Sequence, residues 1–284
     1  MKTIVITGAT SGIGLSVLKQ SLKKGFKVIG IGRDQNKIDI VTNELSEYVS
    51  KEYLIFLKAD LMELTEVKRV GLEIKKYLQE INSGLLDALI NNAGCVRNWY
   101  STNSQGYEQQ FALNHLAGFY LTHFLLDCII KAKGKILITS SKSHMNTKIR
   151  WNDIMFEKHY HPLLVYKQSK LANMLFSYEL NNRYKALGIK AYGIDPGLVN
   201  TNIGLKNTGG LVKFVWNIRK RFGLSPEVPA KTYLYLLEEM PSPIDLYYHN
   251  SKPAYYSSEV NFKNSFRFFV LSEQLCNIKF GDFS

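Results

Sequence analysis

Tyr166 and Lys170 stand four residues apart in the stretch Val165 to Leu180, VYKQSKLANMLFSYEL. On a helix that spacing puts both side chains on one face, a phenol beside an ammonium. A free tyrosine titrates near ~10, and an adjacent cation favours its anionic form, so the pair can exchange a proton closer to neutrality. The spacing alone is not diagnostic. The chain holds 17 Tyr and 36 Lys plus Arg, and a second Tyr-x-x-x-Lys occurs at Tyr248 and Lys252. There the surrounding YYHNSKPA, with Pro253 and a polar run, argues against a helix. The first copy lies in an Ala-, Leu- and Met-rich segment that Gly188 terminates, so it is the copy expected to have helical geometry.

Elements able to position such a pair recur along the chain. Thr3 to Thr7 is a β-branched run, followed by TGATSGIG from Thr7 to Gly14 and a helical pattern through Lys24 that ends at Gly25. Strand, glycine turn and helix open a nucleotide-binding unit. Gly8 allows the tight turn, Gly12 lets the backbone approach a pyrophosphate, and Gly14 lets the helix pack closely on the strand. Thr10, Ser11 and Ile13 belong to the same cofactor loop. A second strand, Lys27 to Ile31, ends in Gly32, Arg33 and Asp34. At such a tip a carboxylate favours a free ribose 2′-hydroxyl and an arginine favours a 2′-phosphate, so Asp34 and Arg33 compete, and the reading favours Arg33 and NADP(H).

Asp60 and Leu61 follow the third strand, Tyr53 to Lys58, and are expected beside the adenine. The fourth strand runs from Leu86 to NNAG, Asn91 to Gly94, which puts Asn92, Ala93 and Gly94 at a strand's C-terminal end, where open α/β sheets bind ligands. A helical stretch, about 106–131, carries Asn114 amid apolar neighbours, as a fold-locking hydrogen-bonder or as part of the site. Lys135 to Ser140 reads as strand five and delivers Ser140 and Ser141 to the same edge. Ile189 to Ile194 reads as strand six, followed by Asp195, Pro196 and Gly197. The alternation predicts an α/β protein with one doubly wound, parallel, Rossmann-type sheet of about seven strands, helices on both faces, in a single domain over 1–284. A less regular part, about 203–284, would cover the substrate. Within it Gly209 to Phe222 interleaves apolar and basic residues, read first as a lid, second as a packed helix and third as a membrane-surface helix.

At 284 residues and 45% hydrophobic the chain can bury a sizeable core. Its formal net charge of +12 raises nucleic acid, anionic membrane or a phosphorylated ligand as partners. The basic residues are scattered and no nucleic-acid motif is present, which discounts nucleic acid. Cys95, Cys128 and Cys276 are widely spaced and form no disulfide or zinc framework, and His159 and His161 lack further ligand spacing, so no metal is expected. MKTIVITGAT reads as a strand rather than a signal peptide, and no run of about twenty apolar residues suggests a membrane span; the expected compartment is the cytoplasm.

TGATSGIG, NNAG, Asn114, the paired serines, YKQSK and DPG, in this order, resemble the short-chain dehydrogenase/reductase family over roughly Lys2 to Ile203. The 25-residue spacing from Ser141 to Tyr166, the intervening IRWNDIMFEKHY, SKLANMLFSYEL and DPGLVNTNI resemble its retinol-dehydrogenase-like branch, and GRD resembles that branch's NADP-selecting turn. Two departures stand out: many members of the branch carry an N-terminal membrane anchor, and Asp195 stands where a histidine or asparagine is common.

The resemblance implies a catalytic tetrad of Asn114, Ser141, Tyr166 and Lys170, with NADP(H) as cofactor. Tyr166 would serve as general acid in carbonyl reduction or base in alcohol oxidation. Lys170 would stabilise its phenolate and contact the nicotinamide ribose. Ser141 would donate to the developing alkoxide, and Asn114 would hold a water linking Lys170 to solvent. Adjacent strand residues face opposite sides, and the match to the family's serine pair favours Ser141 over Ser140. Pro196, Gly197, Val199 and Thr201 would meet the cofactor's nicotinamide half. The implied activity is hydride transfer between nicotinamide and a hydrophobic aldehyde, ketone or retinol-like alcohol. The alternative is a non-catalytic redox-sensing regulator on the same fold. A homodimer or homotetramer through the helices holding Asn114 and Tyr166 is the implied assembly.

Overall fold

The computed structural model describes residues 2–199, 223–239, 241 and 245–281. Its strands and helices alternate through β1 (Thr3–Thr7), α1 (Gly12–Lys23), β2 (Lys27–Gly32), α2 (Gln35–Ser46), β3 (Leu54–Lys58), α3 (Leu64–Asn82), β4 (Ala88–Asn91), α4 (Gln109–Ala132), β5 (Lys135–Thr139), α5 (Pro162–Tyr184) and β6 (Lys190–Asp195). The C-terminal part, expected to be less regular, supplies α6 (Glu227–Glu238), β7 (Tyr247–His249), β8 (Lys252–Pro253) and α7 (Phe262–Cys276). All these strands join one sheet in the order β3-β2-β1-β4-β5-β6-β7-β8, parallel except for β8.

The sheet has eight strands where about seven were expected. The additional one is the two-residue β8, folded back from β7 through Asn250 and Ser251, whose φ angles of 49° and 60° are what a two-residue hairpin turn requires. Every residue of β1 and of β5 is buried, because helices cover both faces of the sheet. One core holds residues of α3, α4, α5 and α7, and the other holds residues of α1, α2 and α6.

Helix α4 begins at Gln109, where the buried Glu108 carboxylate accepts the N–H groups of Gln110 and Phe111 at 3.0 and 2.7 Å. By length and composition it meets the requirement for a membrane span, although no span is expected from the sequence. Yet 61% of its apolar window is buried inside the protein, so it is accounted for as a core helix. Its segment Ala112–Leu116 is π-helical, a widening that recurs at functional sites. Helix α5 starts one turn before Tyr166. Pro162 occupies its first turn and His161 Nδ1 accepts the Leu164 N–H at 3.4 Å.

Helix α7 lies against α4 and α5. Phe268 and Phe269 of α7 meet His115 and Phe119 of α4 and Phe176 of α5, and Phe280 closes on Phe119 and Phe269. Inside this shell His115 contacts Asn173 and Ser272 at 3.2 and 3.0 Å, and burial lowers its pKa to about 4.

Candidate active site at the C-terminal edge of the sheet

Parallel strands deliver the ends of β1, β4, β5 and β6 to one edge, and the residues singled out by their chemistry converge there. In the loop after β1, Gly8 and Gly12 have φ of 68° and 57°, so the turn uses backbone conformations that other residues adopt at a cost. A Cβ on Gly14 would fall inside contact distance of the Gly8 carbonyl and 2.6 Å from Asn92 Nδ2, so only glycine lets α1 approach this closely. Thr10 packs against the tip of β2, where a Cβ on Gly32 would meet its Cγ2 at 2.6 Å. Ser11 is the N-cap of α1 and its side chain makes no capping bond. The helix thus presents its first amides without a side-chain acceptor, beside Ile13 in its first turn. That is a fitting cradle for a dinucleotide's phosphates.

The end of β4 is tied to this loop. Thr7 Oγ1 accepts the N–H groups of Asn92 and Ala93 at 2.8 and 2.9 Å, and Asn92 Nδ2 donates to Thr7 O at 3.0 Å. Gly94 follows, partly buried. At the tip of β2, Asp34 Oδ1 accepts the Lys37 N–H at 3.3 Å and caps α2, while Arg33 is exposed with no salt bridge among the described residues. Asp60 Oδ1 accepts the Met62 N–H at 3.1 Å, which fixes the turn that buries Leu61.

Helix α5 docks on the end of β5 through Lys170. The Lys170 ammonium, 3% exposed, donates to Thr139 O at 3.1 Å and stands 5.4 Å from the centre of the Tyr166 ring. Burial lowers its pKa to about 8. Ser140 Oγ donates to Lys170 O at 3.0 Å, and Ser140 N donates to Ile194 O at 2.7 Å. These bonds occupy Ser140 in holding β5, β6 and α5 together. Ser141 is partly exposed and caps a short turn, its Oγ accepting the Ser143 N–H at 3.2 Å. The neighbouring serines thus divide between a buried framework position and a partly exposed one.

Asn114 sits in the π-helical segment of α4. Its Oδ1 accepts the Cys95 N–H at 2.7 Å, and its Nδ2 donates to Cys95 O at 3.0 Å and Ser169 Oγ at 3.1 Å. It therefore clamps the loop after β4 to α5. Asn173, one turn beyond Lys170, donates to Asn114 O and Thr139 O at 3.0 and 3.1 Å. Pro196 and Gly197 follow β6, and Val199 bridges to Leu224. Thr201 and the segment Gly209 to Phe222 lie outside the described residues.

Several members of the site were not singled out from sequence. Ser169 and Asn173 share the α5 face with Tyr166 and Lys170, a signal present in SKLAN. Glu108, whose pKa burial raises to about 7, neighbours Tyr160 below the loop after β4 and had no local signature. Tyr247 and His249 reach the site through the pairing of β7 with β6.

Glycine turn, parallel edge and a crevice-side lysine and tyrosine pair define a Rossmann-type dinucleotide-binding architecture. The short chain dehydrogenase family model matches residues 2–209, and the chain belongs to this family, whose members use NAD(P) cofactors. It is 33% identical to retinol dehydrogenase 11 of Homo sapiens over 235 residues, covering 82% of this chain and 72% of that protein. It is 31% identical to retinol dehydrogenase 12 of Mus musculus over 282 residues, covering 98% and 87%. Among solved structures, a putative uncharacterized protein from Mycobacterium Paratuberculosis superposes with a TM-score of 0.73 at 27% identity, covering 99% and 95% of the two chains. The NADPH-bound carbonyl reductase from chicken fatty liver shares the fold, with a TM-score of 0.67 at 18% identity over 90% and 99%.

Proposed function

We propose that the protein is an NADP(H)-dependent oxidoreductase acting on a hydrophobic carbonyl or alcohol, in the manner named for its retinol dehydrogenase relatives. The observation that carries this reading is the buried Lys170 ammonium beside Tyr166 at the end of β5. A bound nicotinamide supplies or accepts the hydride. The phenol of Tyr166 gives the substrate oxygen its proton in reduction and takes it in oxidation, and the Lys170 charge favours the phenolate left behind. Ser141, partly exposed, donates to the oxygen as negative charge develops. Asn114 holds Cys95 and Ser169 in register around the pair. Arg33 is the partner for a 2′-phosphate, a reading supported by Asp34 being used as the cap of α2. The small-molecule substrate is the principal partner in this reading, the cytoplasm its compartment, and any homo-oligomer through α4 and α5 has to accommodate α7.

Purified protein with NADPH and a panel of medium- and long-chain aldehydes, ketones and retinoid-like carbonyls should turn over. Tyr166→Phe should lower kcat by about 10²–10⁴-fold, the range for loss of a positioned general acid. Turnover that survives this substitution overturns the assignment. Arg33→Asp should raise KM for NADPH well above its effect on NADH; equal losses overturn the 2′-phosphate role.

A further inference from the structure

Asp195 ends β6 and is 7% exposed. A carboxylate withdrawn this far from water needs fixed partners. Its Oδ1 accepts the Gly197 N–H at 2.9 Å, and His249 Nδ1 lies 3.6 Å from Oδ2 and 3.1 Å from the Asp195 carbonyl. The β6–β7 register aligns Asp195 with His249 and so fixes this contact. The other ionisable groups that feel the carboxylate come from three further elements and from β7 itself. Tyr247 faces it from β7, Tyr233 from α6, His144 from the turn after β5, and Lys170 from α5. Tyr247 is 3% exposed, and its hydroxyl is pushed to a higher pKa first by burial and then by Asp195.

Lys170 reaches the adjoining end of β5 from α5. Its Nζ bonds Thr139 O, and Thr139 is aligned with Ile194, the residue before Asp195. Burial works against its ammonium, while Cys95 and Asp195 work in its favour. Cys95, however, is pushed up to about 12 by burial and is a neutral thiol near pH 7.

We propose that Asp195, held by Gly197 and His249, is the counter-charge that keeps Lys170 an ammonium beside Tyr166, and is thus a positioning residue for that pair. The inference rests on the proposed proton-transfer role of Tyr166 and Lys170. An anion raises the pKa of every acid around it, so removing it moves both members of the pair the same way. The alkaline limb of carbonyl reduction and the acid limb of alcohol oxidation should both shift to lower pH.

The test compares Asp195→Asn, which keeps an acceptor for Gly197 N–H, with Asp195→Glu, which keeps the charge. In the neutral variant the pH profile of kcat/KM with NADPH should move acidward by about one unit or more, and the glutamate variant should restore most of the shift. In parallel, Lys170 is titrated in the whole protein by NMR with labelled lysine, assigned through Lys170→Met. Its midpoint should fall by a similar amount in Asp195→Asn. If that variant does not fold, Asp195→Ser serves as a second neutral replacement. An unchanged Lys170 midpoint in a folded neutral variant overturns the proposal. If Tyr166→Phe still turns over but the midpoint moves, the catalytic reading fails and the counter-charge stands.

Discussion

The two Tyr-x-x-x-Lys copies share a spacing and almost nothing else. In α5, Tyr166 and Lys170 lie on one face, with the ammonium 5.4 Å from the ring centre and 3% of the lysine exposed. In the β7–β8 hairpin, Tyr248 is buried 5.6 Å from Tyr192, while Lys252 on the returning strand is exposed and aligned with His249 instead. A helix of 3.6 residues per turn superposes residues four apart, whereas a tight hairpin sends the chain back and separates them. Spacing acquires chemical meaning only through the backbone period that carries it. Burial then decides whether the lysine is a solvated charge or a perturbed one.

The contrast can be broken first by activity. The large loss of kcat expected for Tyr166→Phe should have no counterpart in Tyr248→Phe, which removes a hydroxyl from the core face of the hairpin and should change kcat by less than about threefold. A comparable loss in both would remove the distinction between the copies.

A second comparison uses stability against pH. Lys170 titrates at about 8 in the fold against 10.5 for the free side chain. Between these values the unfolded chain binds the extra proton, so folding stability rises with pH through that window. Below pH 8 the full cost of burying the ammonium is present. Wild type should therefore gain stability between pH 8 and 10.5, on the order of 2–3 kcal/mol from this group. Lys170→Met should lose that gain, and Lys252→Met should retain it. Urea unfolding at pH 7.5 and 10 measures the difference; identical slopes for wild type and Lys170→Met would contradict it.

The smallest effect concerns the turn that makes the second copy a hairpin. Ser251 has φ of 60°, a region glycine occupies without the Cβ penalty. Ser251→Gly should leave turnover unchanged and alter stability by at most about 1 kcal/mol, read from the urea midpoint. A large loss would show that the Ser251 side chain is needed.

Much of the site was legible because its signals are local. Gly8, Gly12 and Gly14 follow a β-branched strand, NNAG follows another, and the Ala- and Leu-rich run around Tyr166 favours a helix, as found. Strand ends were less legible. The sequence pattern carries β5 on to Ser140 and stops β6 before Asp195, whereas the ladder runs Lys135–Thr139 and Lys190–Asp195, because hydrogen bonding to a neighbouring strand decides where each stops. Asp34 competes with Arg33 on sequence alone, and the capping role of its carboxylate depends on where α2 starts. His249 contacts Asp195 across 54 residues of sequence, and only the β6–β7 register brings them together. The start of α5 at Pro162 was masked by the polar residues before it, although a proline in the first turn and a capping His161 are both recognisable in retrospect.

The seating of α7 on α4 and α5 sets an order of events during synthesis. The aromatic shell around His115 is completed by Phe268, Phe269 and Phe280, so the helices bearing Asn114 and Lys170 keep an apolar flank open until those residues have been translated. A ribosome-bound chain ending before Phe262 would hold every residue of the proposed tetrad and still lack the packing that covers their helices. Packing around the site is thereby coupled to the translation of α7.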